Sequence, residues 1–134
     1  MNEAVAGLVT VASALPPAET VDRLQREILG KGLTIFAKVD HSGGATAAGL
    51  PLRFTQLLVF GSPKGGTPLM QARQTIGIDL PLRMLVWQDE RAGVFVSHDD
   101  PAWLVARHGV TERADTVEAL SRLLASLAAS VARP

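Results

Sequence analysis

The sequence predicts a single α+β domain, an antiparallel-rich sheet of about five strands with helices packed on one face. Three observations carry this. Five short segments have strand-like apolar patterns, and two of them flank the charged turn "QDERAG" as a hairpin. Apolar stripes at helical spacing lie near both ends of the chain. The resulting order, β-α-β-β-α-β-β-α-α, requires antiparallel neighbours and places helices against one sheet.

The first strand is expected over Val5 to Val11, and Pro16 and Pro17 stop it. A helix follows over about Ala18 to Leu29, with Val21, Leu24 and Ile28 on one stripe and Leu29 beside it. The "GKG" at 30–32 ends that helix, because glycine tolerates a left-handed cap. A strand over Leu33 to Asp40 would point Leu33, Ile35, Ala37 and Val39 one way, and Thr34, Phe36, Lys38 and Asp40 the other. "HSGGATAAGL" reads as a small-residue connector with room for one helical turn. Thr55 to Phe60 is apolar on both faces, which suits a central strand.

"FGSPKGGTPLMQA" then turns through three glycines, with Thr67 as cap and a helix over Pro68 to Gln74. Leu82 to Trp87 and Val94 to Ser97 form the hairpin. "DDPAWLVARHG" is a short helix with Asp100 as N-cap and Pro101 at its first position. Asp115 and Glu118 resemble a capping box for a last helix over about 115–131, striped by Val117, Leu120, Leu124, Leu127 and Val131.

A chain of 134 residues is one domain in size and buries a core without staples. It has no cysteine, which removes disulfides, thiolate metal ligands and a cysteine nucleophile together. Lys plus Arg equals 13 and Asp plus Glu equals 13, so no basic footprint points to nucleic acid. The start lacks the positive region of a secretory signal, and no apolar run approaches the ~20 residues that span a bilayer. A cytoplasmic protein without a membrane partner is the expectation.

The glycine loop is not a nucleotide loop. Gly61 and Gly66 have the spacing of GxxxxGK[ST], but Thr67 stands where lysine is required, and Lys64 comes too early. GxGxxG is also absent. Two readings remain open. The glycines serve turn geometry, or the region of Lys64, Gly65, Gly66 and Thr67 offers donors to an anion, with Asp40 and His41 as neighbours.

Several motifs occur in order: the Asp40-His41 pair, the "FGSPKGGTPLMQ" loop, the "DLPL" segment and the "DPAWL" turn. From about Thr20 to Gly109 the chain resembles the domain of unknown function 302 family. That resemblance implies a small dimeric α+β protein with a fold similar to the TATA-binding protein, β-α-β4-α with added short helices. It implies no established reaction, and no catalytic residue carries over. Ser62, Phe54 and the His98-Asp99 pair depart from the family's usual residues.

The residues for acid–base chemistry are His41 and His98 with Asp40 or Asp99, since histidine beside a carboxylate makes a tuned proton acceptor. A nucleophile would be Ser62 or Thr67. The same residues could hold a divalent metal, but no HxH or HxxxH spacing supports one, so no metal or cofactor is assigned. Phe36, Lys38, Arg83, Leu85, Trp87 and Phe95 would share the second sheet face, a mixture of aromatics and cations that suits a homodimer interface. The leading expectation is a non-enzymatic protein that binds or senses a small, possible anionic ligand. The alternatives are a His/Asp enzyme, with or without a metal, and a purely structural dimer.

Overall fold

The computed structural model describes residues 4–134. In chain order the strands are β1 (Leu8–Ala12), β2 (Thr34–Asp40), β3 (Thr55–Gly61), β4 (Leu82–Gln88) and β5 (Val94–Asp99). The helices are α1 (Pro17–Gly30), α2 (His41–Ala47), α3 (Pro63–Ala72), α4 (Pro101–Arg107) and α5 (Ala114–Ala129), and a 3-10 helix spans Gln74–Asp79. The strands form one five-stranded sheet in the order β1-β5-β4-β3-β2, and every pair is antiparallel. The predicted α+β fold is therefore the observed one.

The core lies between one sheet face and the long helices. Leu58 and Phe60 of β3, Met84 and Val86 of β4 and Val96 of β5 point into it. Val21, Leu24 and Ile28 of α1 meet them, as do Leu120, Leu124 and Leu127 of α5. These are the stripes read from the sequence, and helical spacing puts each on one side of its helix. Among the described residues, no helix is long and apolar enough to cross a membrane.

Four boundaries differ from expectation. β1 starts at Leu8 because Gly7, at φ +75°, turns the chain, and the Val5 carbonyl accepts from the Leu8 amide in that turn. The connector after β2 is a seven-residue helix, α2, because Asp40 caps it: Oδ1 accepts from the Gly43 amide at 2.8 Å and from Ser42 Oγ at 2.9 Å. α3 starts at Pro63, five residues before the expected start, so Pro68 lies inside the helix. Proline's fixed φ suits the first helical position, which Pro63 takes. The capping box before α5 does not form, since Arg113 at φ +70° is the N-cap and no side chain caps there.

A β-bulge corrects the strict alternation of β2. Ile35 pairs with Phe60 but Ala37 pairs with Val59, so the intervening Phe36 shifts the parity. Ile35 keeps the core-facing side, whereas Ala37 and Val39 move to the open face. One extra residue in a strand has this effect because side chains alternate with period two.

Candidate functional site

The glycine loop closes a cavity of about 330 Å³. Gly61 ends β3, Ser62 is the extended N-cap and Pro63 opens α3. Gly65, Gly66 and Met70 of α3 form one wall. Gly77, Leu80 and Pro81 form a second, and Leu120 and Leu123 of α5 a third. Phe36 closes the mouth from the bulge in β2. The glycines let elements approach closely. A Cβ on Gly65 would stand 3.4 Å from Leu120 Cδ2, and one on Gly77 would stand 3.2 Å from Met70 Sδ.

The cavity's chemistry is apolar. Among the described residues its polar side chains are the hydroxyls of Ser62 and Thr67, and no titratable side chain lines it. The Gly65 and Gly66 amides both donate to the Ser62 carbonyl, at 3.1 and 3.3 Å. They are already paired in the first turn of α3, so the anion reading of these amides fails. Lys64 is exposed and lies outside the cavity lining. Asp40 and His41 are not neighbours of the loop. Gly61 sits opposite Thr34 at one end of β2, and Asp40 ends the other, about 20 Å away at ~3.3 Å per residue.

The named catalytic side chains do not pair with one another either. Asp40 is engaged as the cap of α2, and its hydrogen bonds from the Gly43 amide and then Ser42 hold its carboxyl below the usual value. Asp99 accepts from Arg83 Nη2 at 2.8 Å. His98 is buried and donates from Nδ1 to the Asp99 carbonyl at 2.9 Å, rather than to a carboxylate. His41 is exposed. Among the described residues, no group of three or more His, Cys, Asp or Glu is arranged to hold a metal.

The structure assembles a different polar cluster. Asp79 ends the 3-10 helix and accepts from His108 Nε2 at 2.6 Å and from Arg107 Nη1 at 2.9 and 2.8 Å. Arg83 Nη2 lies 3.8 Å from Asp79 Oδ1 and links this group to Asp99. Thr75 Oγ1 is 3.2 Å from His108 Nδ1. Of this cluster the sequence analysis singles out Arg83 and Asp99 but not Asp79, Thr75 or Arg107. The "DLPL" segment was the available signal, because it carries Asp79.

The open sheet face carries Leu57, Val59, Leu85, Trp87 and Phe95, all half-buried. The Trp87 and Phe95 rings are tilted by 32° with centroids 5.0 Å apart, and Trp87 Nε1 donates to Ser97 Oγ at 2.9 Å. Arg83 and Asp99 form the ion pair on this face. Phe36 and Lys38 do not belong to it: Phe36 lines the loop cavity, and Lys38 pairs with Leu58 in register on the opposite face.

The family model described as "Domain of unknown function DUF302" matches residues 9–127. The chain is 47% identical over 104 residues to "Fluoride-specific ion channel FluC 1" of Brucella suis biovar 1 (strain 1330), covering 78% of this chain and 41% of that relative. It is equally similar to "Fluoride-specific ion channel FluC 2" of Brucella melitensis biotype 1, covering 38% of that protein. The chain thus spans about two fifths of the length of these curated relatives. The crystal structure of an uncharacterized conserved DUF302 protein from Bacillus stearothermophilus has the same fold, with a TM-score of 0.83 at 17% identity over 95% of this chain and 99% of that one. The family match over residues 9–127 places the chain in the DUF302 family, and the solved structure shares its fold.

Proposed function

We propose that this protein is a non-enzymatic, cytoplasmic homodimer that binds a small apolar molecule in the cavity beside the glycine loop. The observation that carries this reading is the cavity itself, about 330 Å³ with apolar walls and two hydroxyls. Ligand sites are commonly concave and apolar, with a few polar groups that fix orientation. Ser62 and Thr67 would supply that orientation here. The open face with Trp87, Phe95 and Leu85 supports the dimer, because aromatic side chains are favoured at interface centres.

The test is binding of the fluorescent apolar probe N-phenyl-1-naphthylamine, together with native mass spectrometry for any retained ligand. The wild-type chain should bind the probe at one site per chain. Gly66→Leu puts a side chain into the cavity and should abolish that binding while the far-ultraviolet circular dichroism is retained. Equal binding by a folded Gly66→Leu variant would overturn the reading.

A second reading rests on the curated relatives. The segment they share with this chain contains no helix able to cross a membrane among its described residues, yet both are named fluoride-specific ion channels. We infer that the domain acts beside such a channel as its accessory unit. Co-expression with a fluoride channel should yield a co-purifying complex or altered fluoride efflux, and neither change would refute it.

A further inference from the structure

A second cavity, of about 370 Å³, lies on the helix-covered side between β1 and α5. Val9 and Val11 of the edge strand form one wall. Ala125, Ala128 and Ala132 form the other, and their small side chains leave the space open. His98 lies at its floor, in register with Val9 on the same sheet face. It is 6% exposed, and its Nε2 has no hydrogen-bond partner among the described residues.

The chemistry of that nitrogen follows from its partner across the ring. Nδ1 is 2.9 Å from the Asp99 carbonyl, which can only accept, so Nδ1 carries the proton. In the neutral imidazole Nε2 is then a bare acceptor. Among the described residues Gln25 Oε1 is the one fully buried side-chain atom without a partner, so His98 Nε2 keeps access to solvent and is open to a ligand. Asp100 also lines the cavity, and among the described residues no lysine or arginine does. The polar end of the cavity therefore suits a donor or a cation and disfavours a carboxylate. One imidazole and one carboxylate fall short of the three or four protein ligands of a zinc site.

We infer that this cleft is a second binding site, for a small molecule with an aliphatic body and a hydrogen-bond-donating end, an alcohol or a protonated amine, which donates to His98 Nε2. The aliphatic body lies between Val9, Val11 and the alanines of α5. This site is separate from the glycine-loop cavity and shares no lining residue with it.

The experiment is isothermal titration calorimetry of the full chain with 1-octylamine, 1-octanol and octanoate. The amine and the alcohol should bind one per chain, and octanoate at least tenfold more weakly. His98→Leu should weaken the amine and the alcohol at least tenfold, by loss of a hydrogen bond. His98→Gln restores an acceptor and should recover most of the affinity. Ala125→Trp, on the exposed side of α5, fills the cleft and should block both ligands without touching the core. Gly66→Leu should leave this binding intact, which separates it from the loop cavity. Octanoate binding as tightly as the amine, or unchanged affinity in Ala125→Trp, would overturn the proposal. If His98→Leu does not fold, full binding by Ala125→Trp still overturns it, and blocked binding with recovery in His98→Gln supports it.

Discussion

His108 Nε2 donates a 2.6 Å hydrogen bond to Asp79 Oδ2, tying the end of α4 to the 3-10 helix that precedes β4. Asp79 is buried at 8% exposure, and Arg107 completes its coordination from the same helix end. Burial alone would raise its carboxyl above the ordinary value of 3.8, but the His108 hydrogen bond and the Arg107 charge outweigh burial and lower it. A carboxyl depressed in the folded state contributes stability above its unfolded pKa, and that contribution is lost as pH falls through the folded value. Asp79→Asn should therefore cost about 2–3 kcal/mol at pH 7, as the loss of charge-assisted bonds at a largely buried site. Urea unfolding of the wild type should lose stability below about pH 4, and the variant should lose less over that window. A parallel pH dependence in the two proteins would remove Asp79 from the account.

Gly66 is helical, and a Cβ there meets Leu80 Cδ1 at 3.5 Å and Met70 Cε at 3.7 Å, ordinary contact distances. Alanine exceeds glycine in helix propensity by about 1 kcal/mol. Gly66→Ala should accordingly raise the melting temperature by about 4 °C while the cavity stays open to the apolar probe. A drop in melting temperature would mean that the wall of the cavity cannot yield.

Gly7 presents the opposite case. Its φ is +75°, and an added Cβ would fall 2.3 Å from Cδ2 of the Trp103 ring. Gly7→Ala should cost about 1–2 kcal/mol from the left-handed backbone alone. It should also displace Trp103, whose fluorescence should shift to the red. Trp103→Ala combined with Gly7→Ala should leave only the backbone part of that cost, as measured by a double-mutant cycle.

The open face offers a direct test of self-association. Leu85 sits beside Arg83 and Trp87 on β4, on the side away from the helices. Leu85→Glu places a carboxylate amid apolar neighbours and leaves the core face untouched. Light scattering should show two chains per particle for the wild type and one for the variant. A monomeric wild type would refute the interface.

The elements of the sheet and its core are legible in the chain alone. Leu58, Phe60, Met84, Val86 and Val96 alternate with the period of a strand, and Leu24, Ile28, Leu120, Leu124 and Leu127 recur with that of a helix. Those periods are local properties, so they are legible without a fold. It also carried the hairpin turn and the Asp100 cap, which involve only residues near in the chain. What lay at long range was not legible. Asp79 and His108 are 29 positions apart, and only the packing of α4 against the 3-10 helix brings them together. The pairing of Gly65 and Gly66 with Ser62 depended on α3 starting at Pro63 rather than at Pro68, two prolines equally suited to a first helical turn. The bulge at Phe36 decided which side chains face the open sheet, because a single inserted residue reverses parity and leaves no mark in the composition. The glycine-loop cavity and the cleft beside β1 each take one wall from α5, so the long-range packing of that helix fixed where these two lie.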